Sequence, residues 1–147
     1  MEKISTKVLV VGAGVVGLAI ARKLMLEGKE TILIEKNKKI SEEVSARNSG
    51  VIHAGFYYPP ASLKSQLCNV GNKMIYQYCK EKNIIAKNTG KIVLGNTDTD
   101  LNKINQYISH AEHYKGEALT LIPVEEMKQM EMEIRATEGI KRFGSKF

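Results

Sequence analysis

Two four-residue apolar runs frame the first part of the chain: VLVV at Val8–Val11 and TILI at Thr31–Ile34. Each is too short for a helix and lacks polar alternation, which predicts two strands, the first a parallel strand buried on both faces. Between them the residues from roughly Val15 to Glu27 read as a helix, and Gly28 supplies the residue type that most readily ends one. The order is strand, helix, strand, and Glu35 closes the second strand.

Periodicity returns after a glycine-bearing and aromatic segment, SARNSGVIHAGFYYPP at residues 45–60. Leu63, Leu67, Val70, Met74 and Tyr78 recur at helical spacing and predict a helix from about Ser62 to Lys82 with these residues on its core face. Pro59 and Pro60 precede its start, where proline costs little, and Ser62 is a suitable N-cap. NTGKIVLG at 88–95 reads as a strand bounded by glycines. Asp98 or Thr99 is placed to cap a helix running to about Tyr114 or Lys115. ALTLIP at 118–123 reads as a further strand, and PVEEMKQMEME as a short helix with Pro123 in its first turn. No internal repeat or low-complexity segment interrupts this order. The fold class expected is α/β: a Rossmann-like βαβ unit followed by the start of a second, mixed α/β domain. The boundary is expected near residues 84 to 90, giving domains 1–85 and 86–147.

Composition narrows the function classes. At 147 residues, 43% hydrophobic and 26% charged, the chain has the balance of a globular domain. No run of about 18 apolar residues is present. Lysines precede the first apolar run, as in a signal peptide, but glycines punctuate that run and no small-residue cleavage site comes after it. A cytoplasmic protein is expected. The net charge of +6 comes from lysines scattered among glutamates, without a basic block interleaved with aromatics. That distribution predicts a solvated surface rather than a nucleic-acid face, with room for a weak peripheral attraction to the inner face of a membrane. Cys68 and Cys79 lie eleven residues apart in the predicted helix, which separates them by about 16 Å, too far for a disulfide. Packing is their expected role. His110 and His113 flank Glu112 at a spacing that matches no zinc motif, so no metal is expected.

The chemistry begins at the first strand's end, where Gly12, Gly14 and Gly17 form GxGxxG between strand and helix. The first glycine permits the tight turn, the second lets a pyrophosphate approach the backbone, and the third lets helix and strand pack closely. The helix N-terminus offers N–H groups and partial positive charge to phosphates. Glu35, eighteen residues past Gly17, is placed to accept from both ribose hydroxyls and to repel a 2′-phosphate. A dinucleotide is the expected ligand, and this unit by itself leaves NAD and FAD both open.

The residues beyond the second strand separate the two cofactors. The pieces VVGAGVVGLAIARKL, ILIEK, ARNSGVIHAGFYYPPASLKSQLCNVGN and NTGKIVLG resemble the FAD-dependent oxidoreductases of the D-amino-acid oxidase superfamily, and within it the L-2-hydroxyglutarate dehydrogenases and oxidases. The first two pieces are shared by many flavoproteins. The third is far more specific, with RNSG, IHAG and YYPP in order and without gaps. The resemblance covers roughly residues 5 to 140 and implies FAD as cofactor. It implies that Lys36 and Ser45 to Gly50 contribute to the flavin site, with Ser45 to Gly50 passing along the pyrophosphate and ring, Arg47 supplying charge and donors, Asn48 and Ser49 hydrogen bonds, and Gly50 and Gly55 close backbone approach. It implies a position for His53 near the isoalloxazine, where it would hold the flavin, take the substrate hydroxyl proton, or carry a covalent flavin link as in some relatives. The activity implied is oxidation of an L-2-hydroxy acid, with electrons passed to a quinone or to oxygen. Related activities toward glycerol 3-phosphate or an amino acid, and an inactive nucleotide-binding fragment, are the alternatives. Ala46 departs from the family, where a hydroxyl residue is common. The chain is expected to be truncated relative to the family, whose members are more than twice as long, and KRFGSKF does not match the family's continuation after EGI.

Overall fold

A computed structural model describes residues 3–113, 119–130 and 138–142, the last group by backbone alone. The chain divides into two compact units, Met1–Val51 and Ile52–Phe147.

The first unit is the βαβ element. Strands β1 (Val8–Val11) and β2 (Thr31–Ile34) pair in parallel from Val8 opposite Thr31 to Val11 opposite Ile34, and helix α1 (Val15–Leu26) connects them. The Gly12 N–H donates to the Ile34 carbonyl at 2.8 Å, extending the ladder into the turn. The helix ends as its sequence suggests. Gly28 takes φ +71°, its N–H reaches the Met25 carbonyl and that of Lys29 the Leu24 carbonyl, a paired closure that satisfies two otherwise orphaned acceptors. The expected burial of β1 on both faces is not observed. Its residues alternate, Val8 and Val10 half-buried and Leu9 and Val11 exposed, because the two-stranded sheet carries α1 over one face only.

The second unit holds helix α2 (Leu63–Glu81), strand β3 (Lys91–Gly95), helix α3 (Asp98–His113), strand β4 (Leu119–Ile122), helix α4 (Val124–Met130) and strand β5 (Glu138–Arg142). Its sheet is antiparallel in the order β3-β5-β4, so the last strand lies in the middle. No sequence pattern predicts β5. α3 packs on this sheet, and Gly95 has no room for a side chain, since a Cβ there would meet Ile104 Cδ1 at 2.9 Å. Ile104, Ile122 and Met127 are buried, and Ala54, Phe56 and Ala111 form a cluster with Tyr57, Val93, Tyr107 and Leu119 against it.

Three further elements differ from expectation. β3 begins at Lys91 rather than residue 88, because Gly90 takes φ +74°, which breaks the extended run. α3 is capped by Thr97, one residue before Asp98 and two before Thr99, the expected caps. The Asp100 N–H donates to Thr97 Oγ1 at 3.2 Å, and the Thr97 N–H donates back to Asp100 Oδ2 at 3.2 Å, a reciprocal box. Tyr114 and Lys115, and residues 131–133 of the expected short helix, lie outside the described residues. The third difference concerns α2. Ser62 caps it as expected, accepting from the Ser65 N–H at 3.2 Å. Its apolar face, however, is exposed: Leu63, Leu67, Val70 and Met74 are each more than half accessible. The least exposed positions are Ser65, Cys68, Asn69, Gly71, Asn72, Tyr76 and Cys79, a stripe at the same helical period but with few apolar side chains. α2 turns this stripe inward because Ser65 and Asn72 bond the carbonyls of Gly55 and His53 in the segment before it. Both cysteines are half-buried free thiols on that stripe.

Candidate functional site: a glycine turn and its clamps

The turn between β1 and α1 is held from three sides. Gly12 takes φ +98°, a conformation that disfavours any side chain. Gly17 sits so close to the Gly12 carbonyl and Val10 that a Cβ there would collide with the turn itself. Gly14 is the N-cap residue of α1, and with no side chain it cannot cap the helix. Ser45 does so from thirty residues away: its Oγ accepts the Val15 N–H at 2.9 Å. A Cβ on Gly14 would meet that same oxygen at 3.1 Å, so the second glycine makes room for the hydroxyl.

Glu35 closes the other side. Its Oε2 accepts the Ala13 N–H at 2.7 Å and its Oε1 the Asn37 N–H at 3.0 Å. These two backbone donors, Asn37 first and Ala13 second, hold the carboxyl below its ordinary pKa and keep it ionised. The Ser41 N–H donates to the Ala13 carbonyl at 3.0 Å, and Ser41 adopts φ 60° to reach it. The backbone N–H and carbonyl of Ala13 are thus both fixed by residues at or beyond the end of β2. Lys36 points elsewhere, pairing with Glu43 Oε1 at 3.0 Å, while Asn37 Nδ2 donates to the same oxygen at 3.1 Å. Asn37 and then Lys36 lower the Glu43 pKa, and Glu43 raises that of Lys36.

The next turn is a 3-10 helix at Val44–Arg47. Asn48 folds back on it, its Nδ2 donating to the Ser45 carbonyl at 2.6 Å and its Oδ1 accepting the Gly50 N–H at 2.8 Å, with Gly50 at φ 68°. Arg47 and Ser49 are exposed. Gly12, Gly14, Gly17, Glu35, Ser45 and the turn through Gly50 therefore belong to one unit, with Lys36 at its rim. His53 is an exposed residue of the other unit, and its carbonyl accepts from Asn72 Nδ2 at 3.0 Å. Sequence reasoning missed Ser41, Asn37 and Glu43. Asn37 carried a faint signal, as the residue two places after a strand-ending acid.

A parallel βαβ unit with three glycines in the turn, an ionised acid closing the second strand and a serine at the helix N-terminus defines a dinucleotide-binding protein. Residues 7–143 match the family model described as DAO, FAD dependent oxidoreductase, and the chain belongs to that family. The cofactor of the family is FAD. The chain is 34% identical over 139 residues to the mitochondrial L-2-hydroxyglutarate dehydrogenase of Arabidopsis thaliana, covering 95% of this chain and 28% of that protein. It is 39% identical over 126 residues to that of Nematostella vectensis, covering 84% and 28%. The chain therefore spans a little over a quarter of the length of these curated relatives. Among solved structures it resembles an L-α-glycerophosphate oxidase from Mycoplasma pneumoniae with FAD bound, at TM-score 0.85 and 22% identity over 97% of this chain and 38% of that one. It also resembles the L-proline dehydrogenase of P. horikoshii, at TM-score 0.78 and 22% identity over 94% and 36%. These two likenesses establish the fold. Among the described residues no helix is long and apolar enough to cross a membrane.

Proposed function

We propose that the complete protein carrying this chain oxidises an L-2-hydroxy acid, L-2-hydroxyglutarate foremost, to the 2-oxo acid with FAD, passing electrons on to a quinone or to oxygen. The observation that carries the reading is the ionised Glu35 closed on the glycine turn, with Ser45 at the N-terminus of α1. The substrate rests on the identity to L-2-hydroxyglutarate dehydrogenases.

The residues present fit FAD. Each Glu35 oxygen accepts one backbone N–H and keeps acceptor capacity for a ribose hydroxyl. Val16 and Gly17 carry N–H groups of the first helical turn, which lack intrahelical acceptors and suit a pyrophosphate. Ser45 Oγ, having accepted from Val15, retains its own hydrogen to donate to a phosphate oxygen. Arg47 adds positive charge, and Ser49 and Gly50 offer a hydroxyl and a backbone free of side-chain bulk. Asn48 contributes by holding that turn, since its amide is engaged at both ends. Lys36 orders the loop through Glu43. When bound, FAD supplies the hydride acceptor that the chain's own side chains lack. With FAD bound, His53 would take the substrate hydroxyl proton on a ring nitrogen as the C2 hydride passes to the flavin, giving the 2-oxo acid.

The test is to purify the complete protein, release its cofactor by denaturation and follow dye reduction with L-2-hydroxyglutarate, glycerol 3-phosphate and amino acids. FAD in the supernatant and turnover of the hydroxy acid are expected; NAD without flavin, or turnover of glycerol 3-phosphate instead, refutes the reading. His53→Ala is expected to lower kcat by about 10²–10⁴-fold with a smaller change in KM. Normal kinetics with full flavin occupancy would remove His53 from the chemistry.

A further inference from the structure

Three helix-borne side chains converge on the backbone just after the first unit. Asn72 Nδ2 of α2 donates to the His53 carbonyl at 3.0 Å. Ser65 Oγ, earlier on the same stripe, donates to the Gly55 carbonyl at 3.0 Å and is completely buried. His110 Nδ1 of α3 lies 3.2 Å from the Phe56 carbonyl. A carbonyl only accepts, so that nitrogen carries the hydrogen. Asn69 completes the stripe: its Nδ2 donates to the Ser65 carbonyl at 2.9 Å and stands 2.7 Å from where a Gly55 Cβ would be, against a backbone at φ +89°.

We infer that Ser65, Asn72 and His110 are positioning residues that clamp the His53–Phe56 backbone from two helices and so fix the origin of the exposed His53 side chain. The inference rests on the oxidoreductase reading for what His53 does. Burial accounts for the bonds to Gly55 and Phe56: both residues are buried, and the Gly55 carbonyl takes the Tyr58 N–H at 3.2 Å as well as the Ser65 hydroxyl. It does not explain Asn72. His53 is exposed, and water would satisfy its carbonyl without any protein donor. A side-chain bond there restrains the histidine backbone, which lowers the ordering cost of placing a proton acceptor.

The experiment uses the flavin-loaded complete protein and compares wild type with Asn72→Leu, which is similar in size but has no donor, and with Gln77→Leu. Gln77 lies on the same helix and bonds only outward to Glu81 at 2.9 Å, so it controls for helix perturbation. Asn72→Leu is expected to speed amide exchange at Ala54 and Gly55 by about tenfold over the control. It is expected to lower kcat roughly ten- to a hundredfold with KM changed by less than about twofold, and to shift the visible flavin band. Unchanged exchange overturns the clamp. Faster exchange with unchanged kcat and flavin band overturns its positioning role and leaves a stabilising contact. A wild-type protein without flavin strikes the oxidoreductase reading instead, and the exchange comparison still decides the clamp.

Discussion

Glu35 holds the glycine turn and the loop after β2 with a single carboxylate. Its two oxygens are held by the N–H groups of Ala13 and Asn37, and those bonds lower its pKa from the ordinary value of 4.5. A carboxyl with a lowered folded-state pKa stabilises the fold fully above its unfolded value and loses that contribution as pH falls through the folded one. The thermal midpoint of the protein is therefore expected to fall as pH drops below 4.5, in part through this turn. Other carboxylates with lowered values, Glu27, Glu43 and Asp100, contribute to the same trend, so the informative quantity is a difference. Glu35→Gln is expected to melt lower than wild type at neutral pH and to converge on it in acid. Parallel curves across the whole range would show that the carboxylate's charge does not support the turn. The same substitution is expected to weaken FAD binding by about tenfold or more, read by flavin fluorescence titration.

At the scale of elements, the helix starts reveal where local signals suffice. α2 starts at the serine its sequence offers, and α3 starts earlier than the expected caps, Asp98 or Thr99, suggest, because Thr97 and Asp100 cap each other. Thr97→Ala is expected to cost about 1 kcal/mol in urea unfolding, whereas Thr99→Ala, inside the first turn, is expected to stay within about 0.5 kcal/mol of wild type. Equal losses from the two substitutions would return the cap to the position that the sequence suggests. The Thr97 hydroxyl is also the leading cause of the lowered Asp100 pKa, with the Asn96 N–H second. α1 solves the same problem differently. Its N-cap glycine leaves the terminus open, and a serine distant in sequence fills one donor. The proposed pyrophosphate would take the donors that remain in that first turn.

For the molecule as a whole, exposed apolar surface is the dominant feature. Val11, Val15, Val16, Met25 and Leu26 in the first unit, and Leu63, Leu67, Val70 and Met74 in the second, are each more than half accessible. A groove of about 540 Å³ lined by Leu18, Ala21, Met25, Leu26 and Leu33 runs between α1 and β2. Apolar side chains exposed along one helix face, as in α2, mark a face that buries against something, and left bare they promote association. The isolated 147 residues are therefore expected to bind the dye ANS strongly and to melt broadly. A sharp cooperative melt without dye binding would show that these residues cover their own apolar faces.

The sequence alone determined whatever depends on neighbours a few residues apart. Val8–Val11 and Thr31–Ile34 formed the strands their runs predict, the glycines made the turn, Gly28 closed α1 and Ser62 opened α2, since each of these is a contest among local backbone conformations. The apolar stripe of α2 was equally legible, but its destination was not. Periodicity reports which faces a helix has, whereas the hydrogen bonds from Ser65 and Asn72 to a preceding segment decided which face turned inward. β5 was invisible for a related reason. EGIKR has neither alternation nor an apolar run, and it became the central strand because β3 and β4 offered it backbone partners on both edges. Ser45 on Val15, Glu35 on Ala13 and Ser41 on the Ala13 carbonyl belong to the same class. Only the tertiary structure brought them together, because bonds across twenty or thirty residues are selected by the fold that satisfies the most backbone groups at once, and no local pattern encodes them.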